Sequence, residues 1–170
     1  MPTRRQLLFV AAATLGLSPV VAWFGSPTRA NRADADAPAA RFPLDKTDEA
    51  WKRELTSEQY YVLRSHGTER AHSSALDHET RRGTFHCAGC DQPLFDSSAK
   101  FDSGTGWPSF TAPMDGAVGT SIDRSYFMVR TEVHCARCGG HIGHVFDDGP
   151  PPTGLRYCMN GIALRFEVTA

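Results

Sequence analysis

Five cysteines are the residues of this chain best suited to chemistry, and four of them form two equally spaced pairs. The pairs are Cys87 with Cys90 and Cys135 with Cys138. A two-residue gap lets two sulfurs converge on one ion, and two such turns complete a tetrahedral zinc site. Gly89 and Gly139 stand where a tight turn needs conformational freedom. We predict one structural Zn²⁺ per chain, because four thiolates leave no open coordination position.

Two other uses of the C-x-x-C pairs compete with zinc. An oxidising compartment favours disulfides, and C-x-x-C pairs also serve as redox centres. The export signal described below weakens the disulfide interpretation, because a twin-arginine route carries proteins that have already folded. Metal loaded before export would protect the thiolates.

The fifth cysteine, Cys158, has no such partner and lies in the strand-like run LRYCMNGIAL, residues 155–164. In an extended strand side chains alternate between faces, so Arg156, Cys158 and Asn160 point the same way. A neighbouring cation favours the thiolate, which is the reactive form. The residues alone leave two interpretations open, a reactive thiolate and a buried cysteine that packs as a small apolar side chain.

The elements that must position these cysteines are short strands preceded by two helices. KTDEAWKREL (46–55) has acids early and bases late, as a helix dipole favours. TSEQYYVLRSHG (56–67) begins with the capping-box pair Thr56 and Gln59 and stops at Gly67. Alternating apolar residues predict strands over 83–87, 126–135 and 162–168. The predicted fold class is mainly β, with antiparallel sheets in a small barrel-like or two-sheet domain and short N-terminal helices.

The N-terminal residues follow the order of a signal peptide. Arg4 and Arg5 precede an apolar stretch (7–24), and small-residue cleavage candidates follow at 28–30 and 33–37. The paired arginines resemble a twin-arginine export signal. A retained membrane anchor is the alternative, although Pro, Gly, Thr and Ser interrupt the stretch.

We therefore expect a signal peptide over 1–37, a linker over 38–46 and a folded domain over 47–170. The expected location is the periplasm, with no stable membrane span after cleavage.

The length and net charge of the chain limit the classes of function that it can have. The chain has 170 residues, of which 41% are hydrophobic, so one packed domain is expected. Its formal net charge is -1. Removing residues 1–37 takes away four arginines and two aspartates, which leaves 14 basic and 17 acidic residues and a charge of -3. Nucleic-acid binding needs a basic face, so no nucleic-acid partner is expected.

Several longer motifs, in order along residues 47–168, resemble the B-type methionine sulfoxide reductases, which act on the R epimer of the sulfoxide. They are HGTE (66–69), FDSGTGWPSF (101–110), HIGHVFDDGPPPTGLRYC (141–158), RYCMN (156–160) and both C-x-x-C pairs. Ordered long motifs are far more specific than any single one. The resemblance implies an antiparallel β fold with short N-terminal helices and a zinc site made by the four paired cysteines.

The resemblance also implies a role for each matching residue. Cys158 matches the nucleophile that attacks the sulfoxide sulfur, releases methionine and becomes a sulfenic acid. Trp107 matches the aromatic that packs against the substrate methyl group. His141 and His144 match the histidines of H-x-G-H-V-F, and His144 is the implied proton donor to the sulfoxide oxygen. The residues implied to line the site and support the sulfur are Arg156 and Asn160.

Each of these residues also has a structural interpretation. Trp107, between Gly106 and Pro108, fits a core aromatic at a turn. His141 and His144 follow Cys138 closely and fit zinc ligands, although a complete cysteine set makes them redundant there.

The chain departs from the resemblance at three places. Thr105 stands where many members carry a second, resolving cysteine. Cys158 then lacks an internal disulfide partner, and an external thiol must reduce its sulfenic acid. Gly161 replaces a common serine, and ERAHSS (69–74) replaces a Pro- and Phe-containing stretch at the expected substrate entrance.

The predicted function is reduction of methionine-R-sulfoxide in oxidised proteins, with free methionine sulfoxide as a second substrate. The expected reductant is glutathione, a glutaredoxin-like protein or a thioredoxin-like protein. Two alternatives stay open. One is a catalytically inactive binding module stabilised by zinc, and the other is a disulfide oxidoreductase that uses its C-x-x-C pairs.

Overall fold

Two short helices open the part of the chain that the structure, a computed structural model, describes: residues 42–169. Helix α1 spans Asp48–Glu54 and α2 spans Ser57–Ser65. At α2 the capping box is reciprocal. The Gln59 amide donates to the Thr56 hydroxyl at 3.2 Å, and the Thr56 amide donates to Gln59 Oε1 at 3.1 Å. Both otherwise unpaired donors are thereby satisfied, and the prediction of two N-terminal helices is confirmed.

Helix α2 stops just before Gly67, as predicted, but Gly67 is not the residue that takes the left-handed conformation. His66, not Gly67, adopts the left-handed conformation after the helix, with φ of 55°. Gly67 is needed for another reason: a Cβ there would lie 2.3 Å from the Tyr61 ring. This close approach lets the chain leave the helix and carry Thr68 and Glu69 towards the strands.

Nine strands in the described part of the chain form two antiparallel sheets, which confirms the predicted fold class. They are β1 Gly83–Cys87, β2 Pro93–Asp96, β3 Lys100–Phe101, β4 Ser109–Phe110, β5 Val118–Asp123, β6 Arg130–Cys135, β7 His141–Phe146, β8 Arg156–Met159 and β9 Leu164–Val168. The smaller sheet has the order β2-β1-β9 and the larger sheet the order β3-β4-β8-β7-β6-β5.

Aromatic side chains join the two sheets. Phe85 on β1 and Phe95 on β2 both contact Phe110 on β4, with ring centroids 4.9 and 4.3 Å away. All three rings are completely buried. Burying a side chain of this size contributes roughly 1.5–3 kcal/mol. Trp51 and Leu63 of the helices belong to the same core.

Only the second part of the strand predicted over 126–135 is observed, and the prediction is wrong for the first part. Strand β6 begins only at Arg130, and residues Ser125–Phe127 form a 3-10 turn. Alternation favours a strand only where a neighbouring strand can pair, and β5 ends at Asp123, the partner of Arg130. Likewise β9 starts at Leu164, after a 3-10 turn over Gly161–Ala163, and not at residue 162.

Strand β8 carries Cys158 between two partners. Cys158 pairs with Ser109 on β4 and with His144 on β7. Gly143, beside His144, is required by close packing, because a Cβ there would lie 2.1 Å from the Cys158 carbonyl oxygen. The register thus places Cys158, the Ser109 hydroxyl and the His144 imidazole side by side on three adjacent strands of one sheet.

The predicted signal peptide (1–37) lies outside the described residues, as does the linker (38–46) before residue 42. Within 42–46, the Leu44 amide donates to the Arg137 carbonyl at 2.8 Å, so this stretch is attached to the domain. The helices of the described residues are all too short or too polar to cross a membrane.

Candidate active site and metal centre

The sulfurs of the four paired cysteines form one cluster, in which all lie within 4.8 Å of one another. The Sγ atoms of Cys87 and Cys138 are 3.7 Å apart, and those of Cys90 and Cys135 are 3.5 Å apart. Zinc–sulfur bonds of about 2.3 Å in a tetrahedron require sulfurs roughly 3.8 Å apart. A disulfide needs about 2.05 Å, so these distances fit a shared ion and not bridges.

The two C-x-x-C turns have the same internal hydrogen bonds. The Asp91 amide donates to the Cys87 carbonyl and the Gly139 amide to the Cys135 carbonyl, both at 2.9 Å. The left-handed residues are Asp91, with φ of 63°, and Gly139, with φ of 67°. The expectation for Gly139 is confirmed, whereas Gly89 does not take this conformation. Two matching turns that converge their sulfurs are a donor set suited to zinc.

A separate pocket of about 130 Å³ surrounds Cys158. Its walls include four of the residues predicted for the active site, Cys158, Trp107, His144 and Asn160. The rest of the lining is Thr68, Arg130, Gly143, Phe146 and Met159. The structure therefore brings together a thiol, an imidazole and an aromatic wall in one small cavity. His141 and Arg156 do not line the pocket.

Burial governs the ionisation of Cys158. The half-buried position raises the pKa of the Cys158 thiol, although Thr105, the Arg156 charge and Ser109 all act to lower it. The Arg156 charge acts in the expected direction, towards the thiolate, but it is not the largest effect. Desolvation of the charged form outweighs the attraction to Arg156.

A chain of hydroxyl groups lies beside the sulfur. Thr105 Oγ1 is 3.9 Å from Cys158 Sγ, and Ser103 Oγ is 2.8 Å from Thr105 Oγ1 and 2.7 Å from Ser109 Oγ. The Ser109 hydroxyl in turn donates to the Trp107 carbonyl at 3.2 Å. Thr105 thus gives Cys158 a hydrogen-bonding neighbour where a resolving cysteine would give it a disulfide partner.

His144 is held by a carboxylate. Its Nε2 lies 2.8 Å from Asp123 Oδ2, and Arg130 Nη2 lies 2.6 Å from the same oxygen. Burial lowers the pKa of His144, against the opposing effect of Asp123. Hydrogen bonds from Ser125 and His144 hold the pKa of Asp123 below its usual range. The imidazole is therefore neutral near pH 7, with its proton on Nε2 and a free lone pair on Nδ1.

His141 lies behind His144, with ring centroids 5.3 Å apart. It is 2% exposed, and its Nδ1 lies 2.8 Å from Glu132 Oε1. His66 Nδ1 lies 2.9 Å from the same oxygen. The hydrogen bond with His141 lowers the pKa of Glu132 to about 2, despite burial. The four-cysteine cluster includes neither His141 nor His144, whereas His141, His66 and Glu132 form a second group whose ligand atoms all lie within 4.8 Å of one another.

The Asn160 side chain forms hydrogen bonds with two other segments of the chain. Its Nδ2 donates to the Ile142 carbonyl and its Oδ1 accepts from the Glu69 amide, both at 2.9 Å. The Glu69 carboxylate accepts from the Gly161 and Ile162 amides at 2.5 and 2.9 Å. Asn160 is 4% exposed, so these bonds fix one wall of the pocket against strand β7.

Two further predicted residues are fixed by contacts outside the pocket. Arg156 forms a two-point ion pair with Asp148, at 2.8 and 2.9 Å, and its guanidinium lies 4.5 Å from the centre of the Phe146 ring. It thus supports the pocket through Phe146. Trp107 Nε1 donates to the Glu69 carbonyl at 3.2 Å. Trp107 is therefore a pocket wall and not a core aromatic.

Comparison with known protein families matches residues 55–168 to the SelR domain. The chain belongs to the SelR domain family. The match covers both C-x-x-C pairs, Trp107 and Cys158.

Curated relatives agree with this assignment. A peptide methionine sulfoxide reductase MsrB of Agrobacterium fabrum is 54% identical over 125 residues, 73% of this chain and 93% of the relative. One of Pseudomonas putida is 57% identical over 125 residues, 73% of this chain and 94% of the relative. One of Methanosarcina barkeri is 52% identical over 129 residues, 75% of this chain and 91% of the relative.

Among the site residues that sequence reasoning misses, Thr68 and Arg130 line the pocket of this SelR-family chain and Asp123 binds His144 beside it. Thr68 is only part of the HGTE motif, and Asp123 and Arg130 carry no motif at all. Asp123 and Arg130 are paired across the β5–β6 hairpin. Only the strand register brings them together, so residue spacing gives no signal for them.

Proposed function

We propose that this protein reduces methionine-R-sulfoxide in oxidised polypeptides to methionine, with free methionine sulfoxide as a second substrate. The observation that carries the proposal is the single pocket in which Cys158, Trp107 and His144 meet in a SelR-family chain. The names of the relatives, which state peptide methionine sulfoxide reduction, support it. The alternative of a binding module without catalysis does not account for a thiol at the centre of the pocket.

The reaction moves one oxygen atom and two electrons. Cys158 Sγ attacks the sulfoxide sulfur and forms a sulfur–sulfur bond. The protonated oxygen then moves to Sγ as the sulfur–oxygen bond breaks, and the sulfur–sulfur bond breaks with one electron pair left on the methionine sulfur. Methionine leaves as the reduced thioether, and Cys158 becomes a sulfenic acid. The thiol proton ends on the transferred oxygen, so no proton is gained or lost overall.

His144 carries the proton between the two groups. A sulfoxide oxygen leaves poorly unless it is protonated, and the resting Cys158 holds a proton that it must lose. The neutral imidazole accepts the thiol proton on Nδ1 and delivers it to the oxygen. Asp123, bound to Nε2, stabilises the imidazolium that forms in between.

The remaining residues hold the substrate and the reactive groups. Trp107 offers an aromatic face to the methyl group beside the polar S=O bond. Arg156 favours developing negative charge on Cys158, because its charge acts to lower the pKa of that thiol. Asn160 and His141 position the pocket wall and His144.

Regeneration uses external thiols. Thr105 supplies no sulfur, and the paired cysteines form their own cluster. A first thiol condenses with the sulfenic acid and releases water, and a second thiol reduces the mixed disulfide. Glutathione, a glutaredoxin-like protein or a thioredoxin-like protein can supply both thiols. A disulfide oxidoreductase is not favoured, because the paired sulfurs are spaced for a metal.

Purified protein without residues 1–37, incubated with separated R and S epimers of a methionine sulfoxide peptide and dithiothreitol, is expected to consume only the R epimer. Cys158→Ser removes the nucleophile, so turnover should fall by roughly 10³-fold or more. Chromatographic quantification of both epimers measures this. Consumption of the S epimer alone, or turnover that survives Cys158→Ser, contradicts the proposal.

We further propose that Cys87, Cys90, Cys135 and Cys138 hold one structural Zn²⁺. The ion would join the turn after β1 to the turn after β6, with 44 residues between Cys90 and Cys135. Closing so long a loop stabilises the folded state. The ion takes no part in the reaction, since four thiolates leave no open position.

Metal analysis of the wild type is expected to show about one zinc ion per chain, and Cys135→Ser to lose it together with about 3 kcal/mol or more of stability. Plasma mass spectrometry and denaturant unfolding measure the two effects. Cys158→Ser is the control and should keep both zinc and stability. A zinc-free wild type whose paired cysteines are disulfide-bonded would refute the proposal.

We propose that residues 1–37 act as a twin-arginine-type signal and that the mature protein works in the periplasm. Arg4 and Arg5 before the apolar stretch support this. A double change, Arg4→Lys with Arg5→Lys, is expected to leave uncleaved precursor in the cytoplasm, whereas Arg29→Lys is the control that should not. Fractionation and N-terminal sequencing measure it. Full-length wild-type chain in the membrane fraction would instead indicate a retained anchor.

A further inference from the structure

The loop at the tip of the β5–β6 hairpin exposes a concentration of apolar side chains. Five of the eight large apolar side chains exposed in residues 42–169 lie between positions 122 and 129. They are Ile122, Tyr126, Phe127, Met128 and Val129, and we call them the apolar loop. Phe127 has an exposed fraction of 109% and Tyr126 of 74%. Exposed apolar groups clustered in this way indicate an interaction surface.

The backbone of the apolar loop turns these side chains outward. Tyr126 and Phe127 are consecutive non-glycine residues with left-handed φ angles of 54° and 60°. Bulky side chains rarely adopt this conformation, and such positions concentrate at functional sites. Neither aromatic ring gains burial within the domain in return.

The base of the loop is part of the active site. Asp123 Oδ1 accepts from the Ser125 amide at 2.8 Å, which starts the turn. Asp123 Oδ2 binds both His144 and Arg130, and Arg130 also lines the Cys158 pocket. The apolar loop therefore leaves and re-enters the sheet at residues that contact the reacting groups.

A second cavity, of about 530 Å³, continues the Cys158 pocket along the foot of the loop. Arg130 and Phe146 line both cavities. Ile122, Val129 and Leu155 add apolar wall to the second one. Thr131 and Asp147 also line this groove, so its surface is mixed. The Arg130 charge is paired with Asp123, and the apolar part of the wall lies on the side of the apolar loop.

We propose that the apolar loop and this groove bind apolar residues that flank the oxidised methionine in a polypeptide substrate. The proposal rests on the proposed function and names its substrate class. Once the methionine side chain enters the Cys158 pocket, its neighbours must cross the pocket rim, since each residue spans at most about 3.6 Å. Apolar flanks occur in segments that unfolding exposes, and free methionine sulfoxide has none.

The test compares three R-sulfoxide substrates: free methionine sulfoxide, a peptide with leucine and phenylalanine flanks, and a peptide of equal length with serine flanks. The variant is Phe127→Gly with Val129→Ser, since glycine keeps the left-handed conformation without strain. Its KM for the apolar peptide is expected to rise by about tenfold with kcat unchanged, because two apolar contacts are lost. Val168→Ser, which removes a half-exposed apolar side chain from β9, is the matched control and should change nothing.

The other substrates separate this proposal from the function itself. Free methionine sulfoxide and the serine-flanked peptide should give the same kinetics in wild type and variant. If free methionine sulfoxide and both peptides fail to turn over in the wild type, the proposed function fails. If they turn over and the two peptides have equal KM values, only the docking proposal fails.

Two other occupants of the apolar loop would also overturn the docking proposal. Sedimentation would reveal a wild-type dimer that the double substitution makes monomeric, which would assign the loop to a second copy. Co-pelleting with phosphatidylcholine vesicles, lost in the variant, would assign it to a lipid surface. Neither behaviour is expected, and the wild type should sediment as a monomer that leaves the vesicles unbound.

Discussion

The site depends on how strand β8 is held between β4 and β7. This register pairs Cys158 with Ser109 on one side and with His144 on the other. It also requires glycine at position 143, where the Cys158 carbonyl approaches too closely for any side chain. A slip of one residue would turn Cys158 to the opposite face and separate it from both partners. The aromatic core and the cysteine cluster serve to keep these strands in place.

The same placement sets the chemistry of the sulfur. Burial favours the thiol form of Cys158 and the neutral imidazole of His144, so neither of these two side chains is charged in the resting pocket. Arg156 and Asp123 nevertheless lie where charge develops once a proton moves from sulfur to nitrogen. The neutral form also protects the sulfur, because a thiol is less readily oxidised than a thiolate.

Much of this arrangement is predictable from the sequence because its signals are local. The capping box of α2, the C-x-x-C spacing and the motif around Cys158 each act over a few residues. The errors arise where distant residues decide the outcome. The alternation over 126–135 continues beyond the end of its partner strand, and Asp123 and Arg130 reach the site only through hairpin pairing. The ionisation of Cys158 escapes prediction because a sequence shows a neighbouring charge but not burial. The roles of His141 and Arg156 stay predictions, since neither residue lines the pocket.

The central claim is that Cys158 alone takes the oxygen and keeps it as a sulfenic acid with no sulfur to resolve it. The direct measurement is a single turnover of reduced, zinc-loaded protein with methionine-R-sulfoxide and no reductant, followed by dimedone and mass spectrometry. The account predicts about one methionine released per chain and one dimedone adduct, located on Cys158. Thr105→Cys should instead form a disulfide with Cys158 and lose the adduct. A wild-type protein that releases methionine but forms a disulfide between Cys158 and one of the paired cysteines would contradict the account.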